Sequence, residues 1–91
     1  MHVKIQIFGK VQGVAFRYYS KKKADDLGLF GTTENQADGS VISFVQGQED
    51  QVNAFEKWCH QGSPASRVEQ VVTKILSPDS PQDYQDFSIL R

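Results

Sequence analysis

Apolar and polar residues alternate at the start of the chain, from His2 to Phe8, which is typical of a β-strand with one buried face. Val3, Ile5 and Ile7 fall on the predicted buried side, and Gly9 to Gly13 interrupts the alternation. Further extended segments are predicted at Leu29 to Gln36, Val41 to Gln46, Val68 to Leu76 and, as a short last strand, Phe87 to Leu90.

In two places the apolar residues recur at the spacing of an α-helix instead. The first helix is predicted from about Phe16 to Leu27, and Gly28 is a natural cap for its C-terminus. Its inward stripe comprises Phe16, Tyr19 or Ser20, Ala24 and Leu27. A second helix is predicted from Asp50 to His60, and Gly62 and Pro64 end it. Its inward stripe comprises Val52, Phe55 and Cys59.

The order of these elements predicts the fold. Asp38-Gly39 between two apolar runs is a strong hairpin signal, and Pro78 and Pro81 indicate a loop. The order strand, helix, strand, strand, helix, strand predicts a ferredoxin-like α+β sandwich. Two helices would cover one face of a four- to five-stranded, mostly antiparallel sheet. With 91 residues the chain has room for one domain, residues 1–91, and its topology alone implies no function.

Charge and composition narrow the possible functions. A net charge of −1 argues against a non-specific nucleic-acid binder, which needs a basic surface. Cys59 is the only cysteine, so no intramolecular disulfide is possible and a Cys/His zinc site is not expected. His2 and His60 lie far apart in sequence, and neither is expected to be catalytic. Neither a signal peptide nor a membrane-spanning run is visible, so a cytoplasmic protein without membrane contact is expected.

The segment from Gly9 to Arg17 carries the most chemical information, because it joins the first strand to the first helix. Glycines at such a junction let several backbone N–H groups point at one position, and the free amides of a helix start add partial positive charge. Together they form an anion cradle that needs little net charge. Arg17, in the first helical turn, adds a planar guanidinium that matches phosphate with two hydrogen bonds.

Spacing alone leaves a simpler interpretation open. The glycines are also compatible with a plain strand-to-helix turn, and an arginine in a first helical turn is commonly a solvated surface residue. Asn35 has the same ambiguity, because asparagine is common near turns, where it hydrogen-bonds to its own backbone. From the residues themselves, an anion site and an ordinary turn remain alternatives.

The string from Val11 to Arg17, Val-Gln-Gly-Val-Ala-Phe-Arg, resembles the signature of the acylphosphatase family. A second block is similar to that family's second strand and hairpin. Its matching residues are Leu27-Gly28-Leu29, Gly31, Asn35, Asp38 and Gly39. Phe87-Ser88-Ile89 adds a weaker match, so the resemblance covers nearly the whole chain.

The resemblance implies an enzyme that hydrolyses the carboxyl–phosphate bond of small acyl phosphates, acting as a monomer without metal or cofactor. Arg17 and Asn35 would be its catalytic side chains: Arg17 would clamp the phosphate, and Asn35 would hold the attacking water in line with the scissile bond. The amides of the loop would bind the phosphoryl oxygens. These phosphate-binding residues are Gln12, Gly13, Val14, Ala15, Phe16 and Arg17.

The chain departs from the family pattern at four points. Thr32-Thr33 replaces an aromatic and a β-branched apolar residue, which affects the packing of the second strand. Glu34 stands where a basic residue is common, and would weaken anion binding unless it alternates to the opposite strand face. Gln36-Ala37 replaces an apolar-Pro pair, and Ala15 replaces the cysteine of some members.

Two other functions compete with hydrolysis. One is a non-catalytic acylphosphatase-like module that binds an anion or a partner, although the presence of both Arg17 and Asn35 favours the enzyme. The other is RNA recognition on the same fold, for which Phe44 is available but the basic-Gly-aromatic pattern is missing. The run from Lys21 to Lys23 is interpreted as solvated, and Tyr18 as a residue at the border of the site.

Overall fold

The computed structural model describes residues 1–76 and 84–90, which contain five strands and two helices. In chain order the elements are β1 His2–Lys10, α1 Phe16–Asp26, β2 Phe30–Asn35, β3 Val41–Gln46, α2 Glu49–Gln61, β4 Arg67–Ile75 and β5 Phe87–Leu90. Every predicted strand and helix is confirmed, with ends that shift by at most two residues. The loop predicted at Pro78 and Pro81 lies outside the described residues.

The strands form one five-stranded sheet in the order β4-β1-β3-β2-β5. Three of the neighbouring pairs are antiparallel, and β5 runs parallel to β2 at the edge. The predicted ferredoxin-like sandwich is therefore confirmed, with β5 making the sheet mixed. The pairing of Glu34 with Leu90 brings the end of β5 beside the end of β2.

Both helices pack against the face of the sheet that carries Val3, Ile5 and Ile7. The buried helical residues are Phe16, Ser20 and Ala24 of α1 and Val52, Phe55 and Cys59 of α2. At the ambiguous position of the first stripe Ser20 is the buried residue, and its hydroxyl donates to the carbonyl of Phe16 at 2.8 Å. Neither helix in the described part of the chain is long and apolar enough to cross a membrane.

The Thr32-Thr33 departure is accommodated by a polar pair within the core face. Thr33 is fully buried, and its Oγ1 accepts a hydrogen bond from the hydroxyl of Ser43 on the neighbouring strand at 2.9 Å. A buried hydroxyl costs little when it is hydrogen-bonded. The second strand is therefore packed without the apolar residue that the family pattern favours at this position.

Gly31 is required by the close approach of β2 to β3. Its φ is +149°, a backbone conformation that residues with a side chain rarely adopt, and a Cβ there would run into the carbonyl oxygen of Phe44. Because β2 ends at Asn35, any displacement of this strand also moves the end that lines the candidate site.

We expect Gly31→Ala to lower the free energy of unfolding by about 3 kcal/mol, since both the backbone conformation and the contact with Phe44 resist a side chain. Urea unfolding followed by Trp58 fluorescence measures this. Gly28→Ala is the matched control, because its φ of +70° is also positive but no atom stands in the way of a Cβ. It should cost about 1 kcal/mol. Equal losses in the two variants would contradict the role of the strand contact.

Candidate active site

An open cleft of about 540 Å³ lies where the loop after β1, the start of α1 and the ends of β2 and β5 meet. Its lining residues are Val11, Gly13, Ala15, Phe16, Arg17, Tyr18, Asn35, Ile89 and Leu90. Arg17 and Asn35, the two predicted catalytic residues, thus share one cleft although they belong to different elements. Tyr18 borders it, as the sequence indicated.

The loop between β1 and α1 has a left-handed backbone at two positions, Gly13 with φ +73° and Ala15 with φ +59°. Among the described residues Ala15 is the only non-glycine with a positive φ. Its carbonyl accepts the first helical hydrogen bond, from the N–H of Tyr19 at 3.1 Å. The amides of residues 16–18 therefore have no acceptor within the helix, and the positive end of α1 faces the cleft. This arrangement favours an anion.

Ser63, in the segment after α2, fixes this loop from the side of the core. It is buried, and its hydroxyl donates to the carbonyl of Val14 at 2.8 Å. The C=O and N–H of a trans peptide point in opposite directions, so the N–H of Ala15 is turned away from Ser63. The carbonyl of Ser63 in turn accepts hydrogen bonds from the hydroxyl and the amide of Ser66. Ser63 was not predicted from the sequence, because residues 61–67 have no distinctive pattern.

Gln12 ties the loop to the hairpin that follows Asn35. Its side-chain nitrogen Nε2 donates to the carbonyl of Gln36 at 2.7 Å and to the carbonyl of Ser40 at 2.9 Å. Neither Gln12 nor Val14 is among the residues that line the cleft. The Gln12 side chain therefore binds the hairpin. Phosphate binding by the backbone amides of Gln12 and Val14 stays a prediction.

Arg17 is held over the cleft by the last strand. Its Nη1 donates to the carbonyl of Leu90 at 2.8 Å, and the other N–H donors of the guanidinium have no acceptor among residues 1–76 and 84–90. One helical turn later, Lys21 donates to the carbonyl of Phe87 at 2.8 Å and pairs with Asp25 at 3.2 Å. Lys21 therefore departs from the predicted run of solvated lysines. Two basic side chains of α1 dock on backbone carbonyls of β5, a contact that the sequence pattern did not indicate.

Asn35 ends β2, lines the cleft and has a side-chain acceptor without a described partner. Its Oδ1 is buried and has no hydrogen-bond partner among the described residues. A buried acceptor without a donor costs free energy, and most such groups in native proteins are paired with protein or water. A water molecule or ligand that donates a hydrogen bond at this position would relieve the cost.

Acidic residues of the hairpin are turned away from the cleft. Asn35 shares the core-side face with buried Thr33, so Glu34 between them points to the opposite face of the sheet. Asp38 accepts hydrogen bonds from the hydroxyl of Ser40 at 2.6 Å and from its amide at 2.9 Å, and these hold the pKa of Asp38 below its ordinary value. Neither carboxylate lines the cleft, so the anion-attracting potential of the loop is not opposed there.

Other reactive side chains lie elsewhere. Cys59 is buried in α2, and burial raises the pKa of its thiol, so the thiol is unreactive. His60 pairs with Glu56 at 2.6 Å on the surface of α2. Within residues 1–76 and 84–90, no three side chains of His, Cys, Asp or Glu come together in a way that could hold a metal ion.

The fold and the cleft define a ferredoxin-like α+β protein with an anion-attracting site, and comparisons with known proteins identify its family. The acylphosphatase family model matches residues 3–89. An acylphosphatase of Nocardioides sp. is 46% identical over 69 residues, which cover 76% of this chain and 70% of that protein. Acylphosphatase-2 of Gallus gallus is 40% identical over 87 residues, which cover 94% of this chain and 84% of that protein. The crystal structure of acylphosphatase from Bacillus subtilis matches with a TM-score of 0.92 at 32% identity, over 99% and 98% of the two chains. The chain belongs to the acylphosphatase family.

We expect Gln12→Glu to lower the free energy of unfolding by about 1–3 kcal/mol, because a carboxylate would face two carbonyl oxygens and donate to neither. The substituted carboxyl favours its protonated form there, so the loss should shrink as pH falls and a proton becomes available for donation. Urea titrations between pH 4 and 8 measure both effects.

Gln70→Glu makes the same change of charge on an exposed position of β4 and serves as the control. It should change the stability by less than about 0.5 kcal/mol. If the two variants are equally stable at neutral pH, the bridge from Gln12 to the hairpin does not hold the loop.

Proposed function

We propose that the chain hydrolyses acyl phosphates, with the phosphoryl group bound by the loop after β1 and by Arg17, and with the attacking water held by Asn35. Membership of the acylphosphatase family and its acylphosphatase relatives support this activity, that of a hydrolase acting on acid anhydrides. The observation that carries the assignment of roles is that Asn35, whose buried Oδ1 has no partner among the described residues, lines the same cleft as Arg17.

In this proposal the phosphoryl oxygens sit at the start of α1. The loop amides, predicted to be those of residues 12–17, and the helix N-terminus supply partial positive charge without a strongly basic surface. Within the described part of the chain Arg17 uses only one of its N–H donors, on Leu90, and its planar group would pair with two phosphoryl oxygens at once. Charge spread over the oxygens in the transition state is thereby stabilised.

Asn35 would accept a hydrogen bond from the attacking water and place its oxygen in line with the scissile bond. The water oxygen bonds to phosphorus, the bond from phosphorus to the bridging oxygen breaks, and its electron pair leaves on the carboxylate. The proton of the water passes to a phosphoryl oxygen, so the products are a carboxylate and inorganic phosphate. A carboxylate is a good leaving group, so positioning and charge stabilisation carry most of the catalysis.

The non-catalytic alternative is not favoured, because Arg17 and Asn35 are both present and line the same cleft. We also propose that the chain works as a cytoplasmic monomer that does not bind nucleic acid. A cleft assembled within one chain, an unpaired buried Cys59 and a net charge of −1 support these points. Light scattering measures the oligomeric state, and titration with single-stranded RNA tests the expected absence of nucleic-acid binding.

We expect the protein to hydrolyse an acyl phosphate in the presence of EDTA. Arg17→Ala should lower kcat/KM by about 10³-fold and Asn35→Ala by about 10²-fold or more, since each removes a group that acts on the transition state. Arg17→Lys should recover only part of the loss, because an ammonium cannot pair with two oxygens. A coupled assay of released phosphate measures all three.

Lys22→Ala is the control for charge, because it removes a positive charge from an exposed position of the same helix. It should leave kcat/KM within about twofold of the parent, as expected for a screened surface charge. Absence of hydrolysis by the folded parent would favour the non-catalytic module. Full activity in Arg17→Ala would mean that the site lies elsewhere.

We expect the pH dependence of kcat to follow the ionisation of the substrate. The described lining of the cleft contains no carboxylate, histidine, cysteine or lysine side chain to serve as a general base. Measurements with an acyl phosphate and its acyl thiophosphate, whose phosphoryl groups ionise at different pH, test this. An inflection that stays at the same pH for both substrates would belong to the protein and would contradict proton transfer to the substrate.

A further inference from the structure

The peptide between Val14 and Ala15 receives a side-chain hydrogen bond from a distant part of the chain. The hydroxyl of Ser63 donates to the carbonyl of Val14 at 2.8 Å, although the two residues are 49 positions apart. Ala15 lines the candidate active site, whereas Ser63 does not. The N–H of Ala15 lies on the side of the peptide away from Ser63 and therefore points towards the cleft.

Ser63 is itself fixed by its neighbours. It follows the end of α2, where the N–H of Gly62 donates to the carbonyl of Trp58 at 2.8 Å. The carbonyl of Ser63 accepts hydrogen bonds from the amide of Ser66 at 3.0 Å and from its hydroxyl at 2.7 Å. Only 3% of Ser63 is exposed, so bulk water hardly competes for its hydroxyl. A donor held in this way can orient the peptide that it binds.

The backbone of Ala15 opposes this orientation of the peptide. Its φ of +59° lies in the left-handed region, which is disfavoured roughly tenfold for an alanine. Rotation of the peptide by about half a turn would move φ of Ala15 to the negative values that residues with a side chain favour. The same rotation would turn the N–H away from the cleft and bring the carbonyl oxygen of Val14 into it. That oxygen carries partial negative charge and would repel a phosphoryl group.

We infer that Ser63 is a positioning residue that keeps this peptide in its anion-binding orientation. If the peptide rotated, the buried hydroxyl would lose its acceptor, at a cost in free energy that opposes the preference of Ala15 for negative φ. Ser63 acts through the peptide and not by contact with the substrate. The inference rests on the phosphate-binding part of the proposed function, because it takes the N–H of Ala15 as one of the amides that bind the phosphoryl oxygens.

The expected effect follows from the share of molecules whose peptide is correctly oriented. Without the hydroxyl of Ser63, the left-handed penalty at Ala15 leaves about one molecule in ten in the binding orientation. The apparent Kd rises in inverse proportion to that share. Ser63→Ala should therefore raise the Kd for inorganic phosphate about tenfold, as measured by calorimetry, and lower kcat/KM for an acyl phosphate by a similar factor.

Ala15→Gly separates the orientation of the peptide from the stability of the fold. Glycine populates positive and negative φ about equally, so the peptide would no longer favour the rotated state. With glycine at position 15, Ser63→Ala should raise the Kd for phosphate only about twofold instead of about tenfold. Ala15→Gly does not restore the lost hydrogen bond. A Ser63 that merely stabilised the fold would therefore show the same loss with either residue at position 15.

Ser20→Ala is the matched control. Ser20 is also buried, and its hydroxyl also donates to a backbone carbonyl at 2.8 Å, that of Phe16. Its Kd for phosphate should stay within about twofold of the parent value, because the Val14–Ala15 peptide keeps its hydrogen bond. Urea unfolding followed by Trp58 fluorescence shows whether each variant is folded in the assay. If Ser63→Ala does not fold, Ser63→Cys replaces it, since a thiol of similar size donates only weakly and should raise the Kd as well.

The outcomes separate this inference from the proposed function. Weaker phosphate binding in Ser63→Ala that Ala15→Gly restores, in a protein that hydrolyses no acyl phosphate, would uphold the role of Ser63 and contradict the proposed function. In a protein that does hydrolyse acyl phosphates, an unchanged Kd in Ser63→Ala, or a tenfold loss that persists with glycine at position 15, would overturn the role of Ser63 alone. Absence of phosphate binding by the parent would overturn both.

Discussion

The two hydrogen bonds that Gln12 donates to the hairpin connect the halves of the candidate active site. The loop at the start of α1 and the end of β2 come from different parts of the chain. The hydrogen bonds from Gln12 to the carbonyls of Gln36 and Ser40 hold this loop against the hairpin that follows β2. Ser63 fixes the next peptide from the opposite side through the carbonyl of Val14. Catalysis of phosphoryl transfer rests mainly on positioning, so these contacts matter although neither side chain faces the cleft.

A second set of contacts orients the guanidinium of Arg17. Arg17 and Lys21 lie one helical turn apart and reach the carbonyls of Leu90 and Phe87 on the edge strand β5. Because β5 runs parallel to β2 in this sheet, its end lies beside the end of the strand that carries Asn35. The same edge strand brings the apolar side chains of Ile89 and Leu90 to the cleft. One short strand thus holds the guanidinium and forms part of the wall of the cleft.

The fold was readable from the sequence because its periodicities are strong. Alternation from His2 to Phe8, helical spacing around Phe16 and Phe55, and the turn at Asp38-Gly39 each indicate one element, and their order indicates the topology. The ends of elements were less accurate, since Gly9 continues β1 beyond its last apolar residue through an irregular pairing with β4. Spacing alone did not decide whether Tyr19 or Ser20 is the buried residue of the first helix, because only the packing against α2 and the sheet shows this.

The site was readable only in part, and mainly through the family resemblance. Arg17 and Asn35 belong to recognisable strings, and the structure brings both to one cleft. Ser63 and the carbonyls of β5 have no sequence signal, because a backbone acceptor carries no residue identity and a serine in a loop is common. The place of Leu90 in the cleft could not be found from the sequence either, since it follows only from the parallel pairing of β5 with β2.

The most direct test of the central claim is a titration of the ¹⁵N-labelled protein with inorganic phosphate, followed by NMR of the backbone, arginine and asparagine side-chain N–H groups. We expect saturable shifts concentrated in the amides of residues 12–17, in the guanidinium of Arg17 and in the side chain of Asn35. Shifts centred on another surface, or an unchanged spectrum for the loop and for Arg17 at saturating phosphate, would contradict it.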